Sequence, residues 1–149
     1  SPPDRWRMRS RSDLGLALLH DIGGSTHSKF ESAFVLGKLD EWVGFWSEKK
    51  ACPFAGYWRS SDLVDINTPG VYASVYRGKD RAAVILFNSK RDPVKADVRL
   101  KKALLGRKIE QAYDGETDRK LFHFWGAWGD YQKGLFEVPG YDFRMIVVE

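Results

Sequence analysis

The sequence has only one cysteine, Cys52, among its 149 residues. A lone cysteine excludes an intramolecular disulfide framework and any zinc site built from two or four cysteines. The chain also lacks the Gly-x-Ser-x-Gly elbow of serine hydrolases and the lysine of a phosphate-binding Walker loop. Nucleophilic and nucleotide-dependent catalysis therefore have no motif to support them.

Long apolar runs are also missing. No stretch approaches the ~20 apolar residues that a membrane helix requires, and residues 1–30 lack the charged, apolar and small-residue order of a signal peptide. We therefore expect a soluble chain without membrane contact. The sequence does not identify its compartment, and a secreted or periplasmic parent protein is compatible with it. His20, Asp21 and His27 match no ligand spacing, so we expect no metal and no cofactor.

The formal net charge of +4 comes from two basic stretches. Residues 1–12 hold four arginines against one aspartate, and residues 99–108 hold basic residues and no acidic one. Such stretches attract phosphate non-specifically, but a dedicated nucleic-acid binder usually carries its charge along one face of a recognisable module. The sequence therefore argues against nucleic acid as a partner, and a small nucleic-acid or protein interaction domain is only a further alternative.

The hydrophobic pattern of the first fifty residues is partly helical. Apolar residues recur at three and four residues over 30–46, after a capping box formed by Ser28 and Glu31, which predicts an amphipathic helix. Residues 14–19 form a short apolar run that fits a buried strand as well as a helix. A helix as apolar as 30–46 must fold across a sheet or pair with a second copy as a homodimer.

Beyond residue 70 the apolar residues alternate with polar ones, which predicts β-strands. The alternation is clearest over 94–100, while 82–87 is a continuous apolar run typical of a central strand covered on both faces. We therefore predict a mainly β fold, an antiparallel β-sandwich of about seven strands with an N-terminal amphipathic helix. The strands are predicted at 71–76, 82–87, 94–100, 108–113, 120–124, 133–138 and 141–148, with turns at 78–80, 114–115 and 139–140 and one helical turn at 104–105.

The change of pattern divides the chain into three predicted segments. These are an N-terminal segment over 1–50, a connecting segment over 51–69 and a C-terminal β-sandwich domain over 70–149. The connecting segment carries several aromatic rings, which in a connection usually pack where two layers meet. We therefore expect four residues to pack between domains, namely Trp42, Trp46, Tyr57 and Trp58.

A second group of rings lies within residues 120–133. Sugars present C–H faces that stack on Trp and Tyr, so Trp125, Trp128 and Tyr131, with the polar Asp130, are candidate residues for binding a polysaccharide or oligosaccharide. We favour the competing interpretation that Trp125 and Trp128 fill the sandwich core or cover its open end. Glycoside hydrolysis needs two carboxylates about 5 to 10 Å apart. The sequence does not show which of its carboxylates converge, so we name no catalytic residue.

Five short motifs follow one another in order along the chain: Leu18-Leu19-His20-Asp21, Leu39-Asp40-Glu41-Trp42, Gly56-Tyr57-Trp58-Arg59, 71–77 and 83–88. Their order resembles the C-terminal region of bacterial glycoside-hydrolase-like proteins, over roughly residues 15–149. In those proteins a (β/α)8 barrel runs directly into a β-sandwich domain. The resemblance implies that residues 14–47 are the last strand and helix of a barrel. Asp21 would then lie at the barrel face that carries the active site.

The resemblance also implies a role. One strand and helix of a barrel cannot assemble an active site, so the expected function is that of a non-catalytic accessory domain whose partner is the preceding catalytic barrel. The alternative is a free-standing carbohydrate-binding module that uses the aromatic surface of Trp125, Trp128 and Tyr131.

Overall fold

The computed structural model of the chain describes residues 2–20, 29–44, 53–123 and 131–149, with the side chains of 11–20, 33–44, 53–121 and 131–149. Within these residues, two helices precede nine strands. The helices are α1 (Pro2–Leu19) and α2 (Lys29–Val43), and the strands are β1 (Phe54–Ala55), β2 (Val64–Ile66), β3 (Val71–Arg77), β4 (Ala82–Asn88), β5 (Val94–Lys101), β6 (Gln111–Asp114), β7 (Lys120–His123), β8 (Tyr131–Val138) and β9 (Phe143–Val148). Short 3-10 helices span Tyr57–Arg59 and Lys102–Leu104.

The strands form two antiparallel sheets, which confirms the predicted sandwich. One sheet has six strands in the order β1-β3-β4-β9-β6-β7, and the other has three in the order β2-β5-β8. A core of apolar side chains from both sheets includes Val84 and Ile146 from the first and Val98 from the second. The strands β1 and β2 were not predicted, because segments of two and three residues are too short to show an alternating pattern.

The central and half-buried strands follow their sequence patterns. Every residue of β4 is buried, because the strand lies between β3 and β9 and has the second sheet on one face and the helices on the other. In β5 the residues Ala96, Val98 and Leu100 are buried, while Lys95 and Arg99 are exposed. Both predictions, a doubly covered strand and a half-buried strand, are confirmed.

The two helices cover the outer face of the six-stranded sheet and form a third layer. The apolar side of α2, which includes Val35, Leu39 and Val43, packs with Ile85 of β4. The helix therefore folds across one sheet, the first of the two expected arrangements. Phe34 departs from the predicted apolar stripe, since it is 55% exposed on the opposite side of the helix.

Residues 14–19 belong to helix α1, which settles the choice between helix and strand. Leu14 and Leu18 are buried against the sheet at a four-residue spacing, whereas Leu16 is exposed. Other element boundaries shift by a few residues. The strand predicted over 108–113 begins at Gln111, the one predicted over 133–138 begins at Tyr131, and the one predicted over 141–148 begins at Phe143.

The predicted connecting segment contributes strands to both sheets. Phe54 and Ala55 of β1 pair with β3 in the six-stranded sheet, and Val64 to Ile66 of β2 pair with β5 in the other. The connection between the halves is therefore part of the hydrogen-bonded framework. The division into segments 1–50, 51–69 and 70–149 stays a prediction.

A partly buried ionic cluster fixes α1 on the sheet. The Arg11 guanidinium donates to Glu116 Oε1 at 2.7 Å and to Asp142 Oδ1 at 2.7 Å, and it lies 4.5 Å from the centre of the Phe143 ring. Burial by itself lowers the pKa of Arg11, but hydrogen bonds and charge attraction from Glu116 and Asp142 outweigh it and raise the pKa. The arginine therefore stays charged, and it joins the helix to two loops far along the chain.

Candidate functional site: an exposed aromatic surface

Large rings lie exposed side by side where the end of α1 meets β1 and β3. Tyr57, Trp58 and Tyr72 are 38%, 56% and 41% exposed. The centre of the Tyr57 ring lies 5.2 Å from that of Trp58 and 5.1 Å from that of Tyr72. The exposed ring of His20 lies 5.4 Å from Tyr57 and 6.1 Å from Trp58. These four side chains are named the aromatic surface.

Buried hydroxyl groups hold the elements beneath this surface together. The Ser74 hydroxyl accepts a hydrogen bond from the Tyr57 backbone N–H at 3.0 Å and donates to the Leu19 carbonyl at 2.6 Å. The Tyr76 hydroxyl donates to the Leu18 carbonyl at 2.6 Å. The last carbonyls of a helix have no partner within the helix, so strand β3 supplies donors for two of them. The end of α1 and the 3-10 helix are thereby fixed to the same strand.

The position of Trp58 depends on the glycine two residues before it. A Cβ atom at Gly56 would collide with the six-membered ring of the Trp58 indole, so this ring rests directly on the backbone. Phe54, at a ring distance of 6.1 Å, supports the indole from the side. Trp58 as a residue is nevertheless 56% exposed, although packing confines its ring.

The rings of the aromatic surface meet mainly edge to face. The interplanar angles are 86° for His20 and Tyr57, 83° for Tyr57 and Trp58, and 65° for Tyr57 and Tyr72. This arrangement is favourable for aromatic pairs, but it offers a contoured apolar surface rather than one flat platform. Contiguous exposed apolar groups with polar tips are typical of surfaces that contact another protein.

Trp42 packs inside the chain, between α2 and the six-stranded sheet. Its indole N–H donates to the Gly115 carbonyl at 2.9 Å, and its ring lies 5.2 Å from that of Tyr113. The Arg81 guanidinium lies 5.0 Å from the centre of the indole. These contacts occupy Trp42, so it is not part of the exposed aromatic surface.

A polar groove of about 620 Å³ opens beside Trp42. At its edge Glu149 accepts hydrogen bonds from the Tyr113 hydroxyl at 2.6 Å and from Arg81 Nε at 3.0 Å. The bond from Tyr113, followed by that from Arg81, lowers the pKa of Glu149 despite its partial burial. The same bond raises the pKa of Tyr113. A carboxylate kept ionised in this way is unsuited to donate a proton in catalysis.

Several predicted site residues lie outside the described residues, namely Asp21, Trp46, Trp125, Trp128 and Asp130. Tyr131 is described, at the start of β8, and is 36% exposed. The Arg99 guanidinium lies over its ring, 5.1 Å from the centre. Sugar binding at Trp125, Trp128 and Tyr131 stays a prediction. Of the four residues expected to pack between domains, Tyr57 and Trp58 lie together, and Trp42 lies apart from them.

Sequence reasoning missed Tyr72 and His20 as members of the aromatic surface. Tyr72 occupies an outward-facing position in an alternating strand, and a large ring at such a position is a signal that could have identified it. His20 fits no metal-ligand spacing and belongs to the first of the five ordered motifs, and neither pattern indicates an aromatic contact. Its Nδ1 lies 2.8 Å from the Leu16 carbonyl of its own helix.

No metal site is found in the part of the chain that the structure describes. There, no group of three or more His, Cys, Asp and Glu side chains is arranged to hold an ion. The helices of the same residues include none with the length and hydropathy needed to cross a membrane.

Comparisons with known proteins give matches among solved structures only. No protein-family model matches the chain, and neither does a curated protein. A β-L-arabinopyranosidase from Geobacillus stearothermophilus is 13% identical with a TM-score of 0.41, over 55% of this chain and 18% of that protein. Alpha-galactosidase I from Mortierella vinacea is 10% identical with a TM-score of 0.41, over 57% and 22%. A putative alpha-galactosidase/melibiase from Bacteroides fragilis is 14% identical with a TM-score of 0.39, over 56% and 17%.

These three matched proteins are glycosidases, and the chain spans less than a quarter of the length of each. The correspondence to a C-terminal domain, which the sequence motifs suggested, stays a prediction.

Proposed function

We propose that the chain is a non-catalytic accessory domain of a longer carbohydrate-active protein, and that its aromatic surface packs against a neighbouring domain of that protein. The observation that carries the proposal is the contact between exposed rings of Tyr57, Trp58 and Tyr72 on one side of the molecule. Single exposed apolar residues are ordinary, but a contiguous group of large rings usually marks a contact surface. The carbohydrate-active parent is inferred from the order of sequence motifs.

Hydrogen bonds beneath the aromatic surface also support the proposal. Ser74 and Tyr76 bind the end of α1 to β3 immediately beneath the rings, so the rings lose little freedom when a partner covers them. Tyr and Trp suit this use because they bury a large apolar area while keeping a polar tip at the edge. The neighbouring domain is proposed to be the one that precedes this chain, because the order of the sequence motifs resembles that of proteins in which a barrel lies upstream.

Hydroxyl-radical footprinting tests the proposal. The chain is compared alone and joined to the residues that precede it in its natural reading frame, and oxidation of each side chain is followed by mass spectrometry. We expect Tyr57, Trp58 and Tyr72 to react readily in the chain alone and to be protected in the longer protein. Tyr141, which is 43% exposed elsewhere, is the internal control and should react equally in both.

Equal oxidation of the three rings in both proteins would contradict the proposal. A reading frame that adds no domain before this chain would contradict it as well.

A further inference from the structure

A second surface site lies where two loops meet at one end of the sandwich. The β4–β5 loop and the β8–β9 loop border a groove of about 740 Å³, here named the loop groove. It is open to solvent and mixes rings with charged groups. Its lining includes Arg11, Arg91, Glu116, Tyr141, Asp142 and Arg144.

The loops that border the groove are held rigidly by one buried side chain. Asn88 has no exposed surface, and its amide group donates to the Asp92 carbonyl at 2.8 Å and to the carbonyls of Val138 and Pro139 at 3.3 Å. Close backbone contact adds to this, because any side chain at Gly140 would collide with the Arg91 carbonyl. The groove is therefore preformed, which lowers the entropy lost when a ligand binds.

Tyr141 is placed in the groove at a conformational cost. Its φ angle is 52°, in the left-handed region that favours glycine and asparagine, and its side chain is 43% exposed. The fixed loops hold this backbone in place, and the Tyr141 N–H donates to the Lys90 carbonyl at 2.9 Å. Strained residues that are held by their surroundings in this way are concentrated at binding sites. The arrangement therefore points to a use for the ring itself.

Two polar groups that line the groove together with this ring have open hydrogen-bonding positions. Arg144 is paired with Asp114 at 2.8 Å, and Arg11 is bound by Glu116 and by Asp142 Oδ1. In the part of the chain that the structure describes, the Arg91 guanidinium makes no side-chain interaction and Asp142 Oδ2 accepts no hydrogen bond. The groove thus offers one set of donors and one acceptor next to an exposed ring.

The charges of the groove indicate what class of ligand fits. Its lining carries three arginines and two carboxylates, Glu116 and Asp142, and Asp114 pairs with Arg144 from outside the lining. These six charges sum to zero, which does not favour a charged ligand. A neutral ring with adjacent hydroxyl groups suits it, because each hydroxyl both donates and accepts hydrogen bonds. We propose that the loop groove binds a neutral pyranose sugar, stacked on Tyr141 and hydrogen-bonded to Arg91 and Asp142. The proposal does not depend on what covers the aromatic surface.

Nuclear magnetic resonance of the full chain labelled with nitrogen-15 tests the inference. The probes are the methyl pyranosides of glucose, galactose, mannose and xylose, together with methyl glucuronide as the charged counterpart of the glucoside. We expect at least one neutral glycoside to shift the backbone amides of residues 89–92 and 140–142, and the glucuronide to bind no more tightly than the glucoside. If none of the neutral glycosides shifts these amides, or the glucuronide binds more tightly, the proposal fails.

Variants of Tyr141 separate loss of binding from loss of folding. Tyr141→Asn removes the ring but tolerates the left-handed backbone, so we expect about tenfold weaker binding, equivalent to about 1.4 kcal/mol, with an unchanged or higher Tm. Tyr141→Phe keeps the ring and should bind like the wild type. Arg91→Ala should weaken binding, and Trp58→Ser should leave it unchanged. Wild-type affinity in Tyr141→Asn would overturn the proposal.

The binding experiment and the footprinting experiment test the two proposals separately. Loss of sugar binding leaves the protection of Tyr57, Trp58 and Tyr72 in the longer protein unaffected. An unprotected aromatic surface, in turn, says nothing against the loop groove.

Discussion

Among single residues, Tyr113 and Glu149 make the stability of the protein depend on pH. In their hydrogen bond of 2.6 Å the phenol donates to the carboxylate, so the bond is strongest with an ionised carboxyl and a protonated phenol. The pKa of Glu149 is lowered below its ordinary value of 4.5, so the stabilisation is present above pH 4.5 and is lost as the pH falls through the lowered pKa. The pKa of Tyr113 is raised above 10.0, so the stabilisation is present below pH 10.0 and is lost as the pH rises through the raised pKa.

We therefore predict that Tyr113→Phe lowers the free energy of unfolding by about 1 kcal/mol near pH 7. The difference from the wild type should shrink in acid, as Glu149 becomes protonated. Urea denaturation followed by circular dichroism at a series of pH values measures it. The matched control is Tyr72→Phe, which removes an exposed hydroxyl and should change stability little at any pH. A deficit in Tyr113→Phe that is the same in acid and at neutral pH would refute the assignment.

Only part of the aromatic surface could be predicted from the sequence. Tyr57 and Trp58 could be selected because rings in a connecting segment must pack against something. Their association with Tyr72 and His20 could not be predicted from the sequence, because it depends on strand β3 lying beside the end of helix α1. That approach is fixed by hydrogen bonds such as Ser74 to Leu19, which join residues 55 positions apart. No local pattern carries that information.

At the level of elements, α1 lies unusually close to the six-stranded sheet at Gly15. A Cβ atom there would lie 2.8 Å from Phe87 Cδ2 and 2.9 Å from Phe143 Cδ1, closer than normal contact. In α2, a Cβ atom at Gly37 would meet nothing within 4 Å. Close packing on the sheet therefore requires a glycine at Gly15, whereas packing places no such requirement on Gly37.

We predict opposite effects of the same substitution at these positions. Gly15→Ala should destabilise the protein by about 1 to 3 kcal/mol, because two buried rings must move. Gly37→Ala should stabilise it by about 0.5 to 1 kcal/mol, because alanine is the better helix former. Thermal and urea unfolding of both variants measure the changes. A stabilising Gly15→Ala would show that α1 does not lie this close to the sheet.

Elements with a long, uniform environment could be predicted from the sequence, and others could not. Strand β4 is buried on both faces along its whole length, and six of its seven residues form one uninterrupted apolar run, which is followed by a buried asparagine. Residues 14–19 were ambiguous because Leu16 and Ala17 add apolar side chains outside the buried stripe. Only the contacts of Leu14 and Leu18 with the sheet distinguish a helix. Strands β1 and β2 depend wholly on their pairing partners.

For the whole molecule, the main feature is the layer that the two helices form on the six-stranded sheet. They cover a face of the six-stranded sheet that would otherwise expose a group of buried apolar side chains. These are Tyr76, Ala83, Ile85, Phe87, Phe143, Met145 and Val147. A sheet with this face uncovered would present an apolar patch far larger than soluble proteins normally tolerate.

We therefore predict that a chain beginning at residue 53 does not fold properly. It should bind the dye ANS strongly and lose its cooperative thermal transition, whereas the full chain should show a single transition and weak dye binding. Circular dichroism and ANS fluorescence of the two chains measure this. A truncated chain that unfolds cooperatively and binds no dye would support a separate domain over 70–149 instead.

The position of β9 also determines when the molecule can fold during its synthesis. This strand lies between β4 and β6, although it is the last strand in the described chain. While the nascent chain is still in the ribosome, β1, β3 and β4 have no neighbour to join them to β6 and β7. Domains generally fold as units once their sequence has emerged. A stalled ribosome that holds residues 143–148 in its exit tunnel would therefore present two incomplete sheet fragments with open edges, the kind of intermediate that chaperones recognise.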